Sequence, residues 1–253
     1  MNRRSFLKAC VHAGSLGALA RRIRSDDGTF DLRLWVTEAA AQYGVAARAK
    51  EYVELAFGTV RDDLSVTLGG TVSVEREHGY RVMRSGEWPG LLAEGAAGGS
   101  DIDPVDDVNV LLTDGPMDTA PTGVGTAHVA AVGGARYLAE MPRVADTTPV
   151  VPYTEPARVT QVLLHECGHA IGLGHDDGGV YARGNAAVAT PMISSYAWSE
   201  GYDPADGACG TVVDVDAERR LLSFMFSDCA SETVAAYDGE LGVQDPFERH
   251  TDR

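Results

Sequence analysis

Between residues 165 and 175 the chain reads His-Glu-Cys-Gly-His-Ala-Ile-Gly-Leu-Gly-His, and this run constrains the fold more than any other. His165 and His169 are four residues apart, so on a helix they leave the same face and can hold one ion, with Glu166 beside the open coordination position. Gly172 admits a left-handed backbone that a side chain would penalise, so the helix is expected to stop there and His175 to return as a third ligand. Cys167 points the other way and joins Val159, Leu163, Ala170 and Ile171 in an apolar stripe. Three neutral imidazoles leave a divalent zinc its full charge and one open position, the pattern of a catalytic site rather than a closed structural one. Glu166 is then placed to take a proton from a water polarised by the ion and to hand it to a leaving amine.

Hydropathy patterning places this run in an α+β chain. Phe30, Leu32, Leu34 and Val36 alternate as in a strand, and Val45, Ala49, Tyr52, Val53, Ala56, Phe57 and Val60 form a helical stripe. Val66 to Val74 predicts a second strand or a hairpin broken at Gly69-Gly70, and the apolar run Val108 to Leu112 a central third strand. Gly90 to Pro104 is expected to be a glycine-rich acidic loop, whereas Gly123 to Val132 and Arg136 to Leu138 read as two more short strands. Pro156 suits the first turn of the helix that carries the histidines. Beyond His175 the chain reads as loops to about Val213, then as a final helix capped by Asp216 and containing Leu221, Leu222, Met225 and Phe226. No linker divides residues 25–230, which are expected to form two halves of one domain with the zinc cleft between them. Residues 231–253 are polar and acidic and predict a flexible tail.

A second mark lies downstream, in Ala189-Thr190-Pro191-Met192-Ile193-Ser194-Ser195-Tyr196. Together the two segments resemble the metzincin clan of zinc metalloendopeptidases, most closely its matrixin-like branch. The resemblance implies that Met192, seventeen residues after His175, forms an apolar floor beneath the imidazoles. It also implies a zincin fold: a twisted, mostly parallel sheet with an amphipathic helix and an active-site helix, then an irregular C-terminal subdomain ending in a helix. An edge strand above the zinc, mapped to Gly123 to Val132, would bind extended peptides by strand addition. The likeness covers about residues 28–230, but only 165–175 and 190–196 are motif-specific. Some branches carry a tyrosine where this chain has Ser194, and Tyr196 is not assigned to the metal. The PRCGxPD-like pro-segment motif of matrixins does not occur, which leaves latency either absent or due to a separate inhibitor. Asp176 directly follows the third histidine, as in the adamalysin-like branch, so the subfamily stays open.

Charge and termini narrow the setting. Aspartate and glutamate number 37 against 21 lysines and arginines, a formal net charge of -16 that repels nucleic acid and anionic membranes. Lys8 and Lys50 are the only lysines, and the scattered acids suggest a protein kept soluble in concentrated salt, where screening relieves self-repulsion. Residues 1–24, with Asn2-Arg3-Arg4-Ser5-Phe6-Leu7-Lys8 and then a weakly apolar stretch, resemble a twin-arginine export signal. An exported, extracellular or cell-surface protein without a membrane span is therefore expected. Export leaves Cys167, Cys209 and Cys229, enough for one disulfide; a Cys209–Cys229 pair is favoured, closing a loop of about twenty residues worth ~3 kcal/mol.

Other candidates are weaker. Asp101, Asp103, Asp106 and Asp107 could offer oxygens to calcium, but their spacing is no EF-hand loop and a solvated acidic turn is expected. His78 and His128 are isolated and read as ordinary histidines. The expected function is an exported zinc endopeptidase acting on protein or peptide substrates. The competing readings are a zinc-retaining binding module, against which the intact Glu166 argues, and a zinc hydrolase of a non-peptide amide, which shares every motif residue.

Overall fold

The computed structural model describes residues 28–118, 121–193, 209, 219–239 and 241. Strand β1 (Phe30–Thr37) leads through a short helix α1 (Glu38–Ala41) into α2 (Val45–Gly58) and back to β2 (Leu64–Val72), a parallel crossover beside β1. Two helices, α3 (Gly79–Arg84) and α4 (Glu87–Ala96), precede β3 (Val108–Leu112), and β4 (Gly123–Thr126) and β5 (Val129–Val132) follow. These strands form one five-stranded sheet in the order β2-β1-β3-β5-β4. Every neighbouring pair is parallel except β4 with β5, so an antiparallel strand closes one edge.

Alternation along β1 explains why both sheet faces are covered. Phe30, Leu32, Leu34 and Val36 enter the larger core with the buried stripe of α2, Val45 to Phe57. Trp35, on the other face, packs with Leu111, Val129 and the helices α3 and α4 through Val82, Trp88 and Leu92. Helix α5 (Ala135–Ala139) then leads to β6 (Val150–Pro152) and α6 (Glu155–Ala170), the helix of the histidines. Thr154 caps α6 by accepting the Ala157 N–H at 3.3 Å, and Pro156 sits in its first turn. Helix α6 crosses the larger-core face of the sheet against β4 and β5. Beyond it, β7 (Val180–Arg183), β8 (Ala186–Ala189) and β9 (Arg219–Ser223) join β6 in a second, mixed sheet of order β6-β9-β8-β7, and α7 (Asp228–Ala236) ends the described elements. The described fold is thus mixed α/β with mixed sheets and seven helices. Among the described residues no helix is long and apolar enough to cross a membrane.

Several sequence expectations are corrected. Where glycine content predicts a loop from Gly90, α4 forms, because Trp88 and Leu92 are one turn apart and both buried while Pro89 lies in the first turn. The segment Arg136 to Leu138 is helical, with Ala135 and Leu138 buried three apart, a helical and not a strand period. Gly123 to Val132 is two strands joined at Ala127-His128, with His128 at φ 66°. Val66 to Val74 gives one strand, β2, whose register skips Gly69 because Trp35 fills the space a side chain would need. The segment after His175 is not only loop, since β7 and β8 form a hairpin there. Leu221 and Leu222 belong to strand β9, and the last helix instead begins after Ser227, whose hydroxyl accepts the Ala230 N–H at 3.1 Å. Helix α7 also runs into the segment read as tail, and Val234 and Tyr237 are buried. The export segment, Asp216, Ser194 and Tyr196 lie outside the described residues.

Candidate metal centre

Helix α6 carries His165 and His169 on one face, and its termination delivers His175. Gly172 takes φ +91°, its N–H donates to His169 O at 3.1 Å, and the Leu173 N–H donates to Gly168 O at 3.0 Å. These paired bonds are those of a Schellman ending, which turns the chain sharply enough for the next turn, His175–Asp177, to face back toward the helix. The three imidazoles then converge. One ligand atom from each lies within 4.8 Å of the others, the group among the described residues able to hold a metal.

Two of the rings are fixed by backbone carbonyls. His165 Nδ1 lies 2.7 Å from Pro191 O and His169 Nδ1 lies 2.8 Å from Leu173 O. A carbonyl only accepts, so each Nδ1 carries the hydrogen and each Nε2 keeps its lone pair. His169 Nε2 and His175 Nε2 are 3.2 Å apart, close to the ~3.3 Å separating two donors held about 2.0–2.1 Å from a tetrahedral zinc. Burial holds His165 well below the usual histidine range, reinforced by His169 and His175, so this ring stays neutral and able to ligate. Three imidazoles in this arrangement suit zinc, and the donor set fits it.

Glu166 is buried beside the triad, and burial pushes its carboxyl up to about 8 against the opposing effect of the Gly125 N–H, which donates to it. Strand β4 lies directly over this part of the helix. A Cβ at Gly123 would stand 2.9 Å from Glu166 Cγ, and one at Gly125 would stand 2.9 Å from His169 Cβ and collide with the Glu166 carbonyl oxygen. Met192 is fully buried and packs under α6 at Gly168, where an added Cβ would run into its sulfur and sit 3.0 Å from Leu173 Cδ1. Cys167 is a free, buried thiol in the core, pushed well above the ordinary thiol range by burial.

His165, Glu166, His169, Gly172, His175 and Met192 are therefore brought to one place. The other candidates are not. Asp103 pairs with Arg33 at 2.8 Å, and Asp107 accepts the Asp31 N–H at 2.8 Å. The His128 N–H caps Ala170 O at 2.8 Å, and His78 lies at the start of α3. Cys209 and Cys229 form a disulfide. Missed by the sequence reading were Gly123, Gly125 and Gly168, whose only signal is glycine at a close approach, and the carbonyls of Pro191 and Leu173, which carry no residue code.

No protein family profile matches the chain, and no curated protein matches it. Among solved structures the chain is similar to archaemetzincin from Methanopyrus kandleri, at 19% sequence identity and a TM-score of 0.40, over 84% of this chain and 97% of that one.

Proposed function

We propose that this protein is a zinc-dependent endopeptidase of the matrixin-like metzincin kind, hydrolysing internal peptide bonds of protein or peptide substrates. The observation that carries the proposal is the convergence of three imidazoles with a buried carboxyl, Glu166, one residue from the first of them. His165, His169 and His175 would hold the ion, and zinc when bound supplies a Lewis acid that acidifies water and stabilises negative charge on a substrate carbonyl. Glu166 takes the proton released by the attacking water and returns it to the departing amine, serving as general base and then as general acid. Strand β4, at the end of the sheet, offers backbone groups to an extended peptide beside Glu166.

The test is incubation of the zinc-loaded protein in high salt with a degenerate peptide library, with and without chelator. Wild type should cleave in a chelator-sensitive way, while Glu166→Gln should keep its zinc and turn over about 10²–10⁴-fold more slowly. Full activity in that variant rejects Glu166 as the base. No cleavage of any peptide by wild type favours a binding module or a hydrolase of a non-peptide amide. Export to a saline exterior belongs to the same proposal, supported by Arg3-Arg4 and the net charge of -16. Lysine at both positions should hold the precursor inside the cell, and unchanged export would refute that route.

A further inference from the structure

His165 and His169 stand on a buried helix of sixteen residues, whereas His175 stands on a three-residue 3₁₀ turn that has little rigidity of its own. The position of the third ligand must therefore come from elsewhere, and its supports converge on Gly178. The Gly178 N–H donates to His175 O at 3.0 Å, and its carbonyl accepts the Cys209 N–H at 3.1 Å. A Cβ on Gly178 would lie 2.6 Å from the Met192 carbonyl carbon, and one on Gly179 would collide with the Cys209 carbonyl oxygen, so the three segments touch through backbone alone. Cys209 is bonded to Cys229 in the first turn of α7. Ser227, the residue that caps α7, donates its hydroxyl to the Asp177 carbonyl. Asp177 in turn accepts the Gly174 N–H at 2.7 Å, which closes the turn around His175. Residues 174–178 are thus gripped twice from one helix end, directly by Ser227 and through the disulfide by Cys209.

Resting on the metal-centre reading above, we infer that the Cys209–Cys229 disulfide and Ser227 form a positioning clamp for His175, fixing the third metal ligand without touching the ion. Opening the clamp leaves two ligands in place and frees the third. Losing supports of this kind weakens metal binding by about 10–100-fold.

The experiment measures the zinc dissociation constant of the full chain by competition with a chromophoric chelator, and the visible spectrum of the cobalt-substituted protein, which reports coordination number. Four proteins are compared: wild type, Cys209→Ser/Cys229→Ser, Ser227→Ala, and Val53→Ala, on the buried face of α2, as a destabilised control. The double variant should bind zinc about 10–100-fold more weakly and lose the intense four-coordinate cobalt bands, with a smaller change in the same direction for Ser227→Ala. Val53→Ala should bind as wild type does. A folded double variant, by circular dichroism at the assay temperature, with wild-type zinc affinity and an unchanged cobalt spectrum overturns the clamp. Should the double variant not fold, Ser227→Ala decides by the same criterion. A wild type that takes up neither ion overturns the metal centre itself, and the clamp with it.

Discussion

Gly125 sets backbone, not a side chain, against the helix of the triad. Because its α-carbon faces the Glu166 carbonyl and its N–H donates to the Glu166 carboxyl, any side chain there must lift β4 away from the site. Gly125→Ala is expected to lower stability by about 1–3 kcal/mol through overpacking and to slow hydrolysis by about a hundredfold through misplacement of the base. Urea unfolding and turnover of a cleaved library peptide measure the two effects; wild-type values for both would remove β4 from the site. This residue also shows what sequence conceals. The convergence of His165, His169 and His175 was legible because they act through their side chains, the first two at a helical spacing and the third after the turn at Gly172. The contacts that orient them were not, since Pro191 O and Leu173 O are backbone atoms that any residue supplies. A glycine reveals its close approach only when the neighbouring element is in place.

At the scale of elements, legibility followed the length of the periodic signal. The stripe of α2 spans about four turns and declared its type and its buried face, and the longer motif helix α6 declared its type, although it is buried on nearly every side and not along one stripe. Short apolar runs did not. Leu221 and Leu222 fit a helix or a strand, and what makes them a strand is pairing with Val151 and Pro152 on one side and with Val188 and Ala189 on the other. Those partners lie far away in sequence, and no local pattern announces them. The helix α4 was hidden for the opposite reason. Its glycines and acids suggest a loop, but burial of Trp88 and Leu92 against Trp35 and Leu111 outweighs the propensity cost of about 1 kcal/mol per glycine. Of the C-terminal helix, the existence was foreseen and the position was not, because the true cap, Ser227, is separated from the expected one by a strand.

Across the whole molecule, the end of α7 is fastened to the beginning of β1. Arg61 donates to the carbonyls of Val234 at 3.2 Å and Tyr237 at 2.6 Å, the Tyr237 ring meets Phe30 edge-on at 5.4 Å, and the Tyr237 hydroxyl donates to Asp107 at 3.2 Å. Phe57 with Phe226 and Tyr52 with Phe224, both at 4.9 Å, extend the same junction, so the first sheet and the segment that clamps His175 share one core. Asp107 is a half-buried carboxyl group at this seam. Burial raises its pKa above the ordinary carboxylate value, and the Asp31 N–H, the Tyr237 hydroxyl and the His128 charge only partly offset that. The folded state therefore holds the proton more tightly than the unfolded chain does. Its contribution is fully present below the unfolded value of about 3.9 and is lost as pH rises through the folded pKa. Asp107→Asn has no such proton to lose, and its amide oxygen can still accept the Asp31 N–H. Measured by urea midpoints across the acid range, wild type should lose stability relative to Asp107→Asn as pH climbs from about 3.9, and the difference should level off above the folded pKa. A wild type that gains on the variant over the same range would mean that the Asp31 and Tyr237 hydrogen bonds, and not desolvation, dominate at the seam. The charged carboxylate would then be what holds β1 to the residue that follows α7.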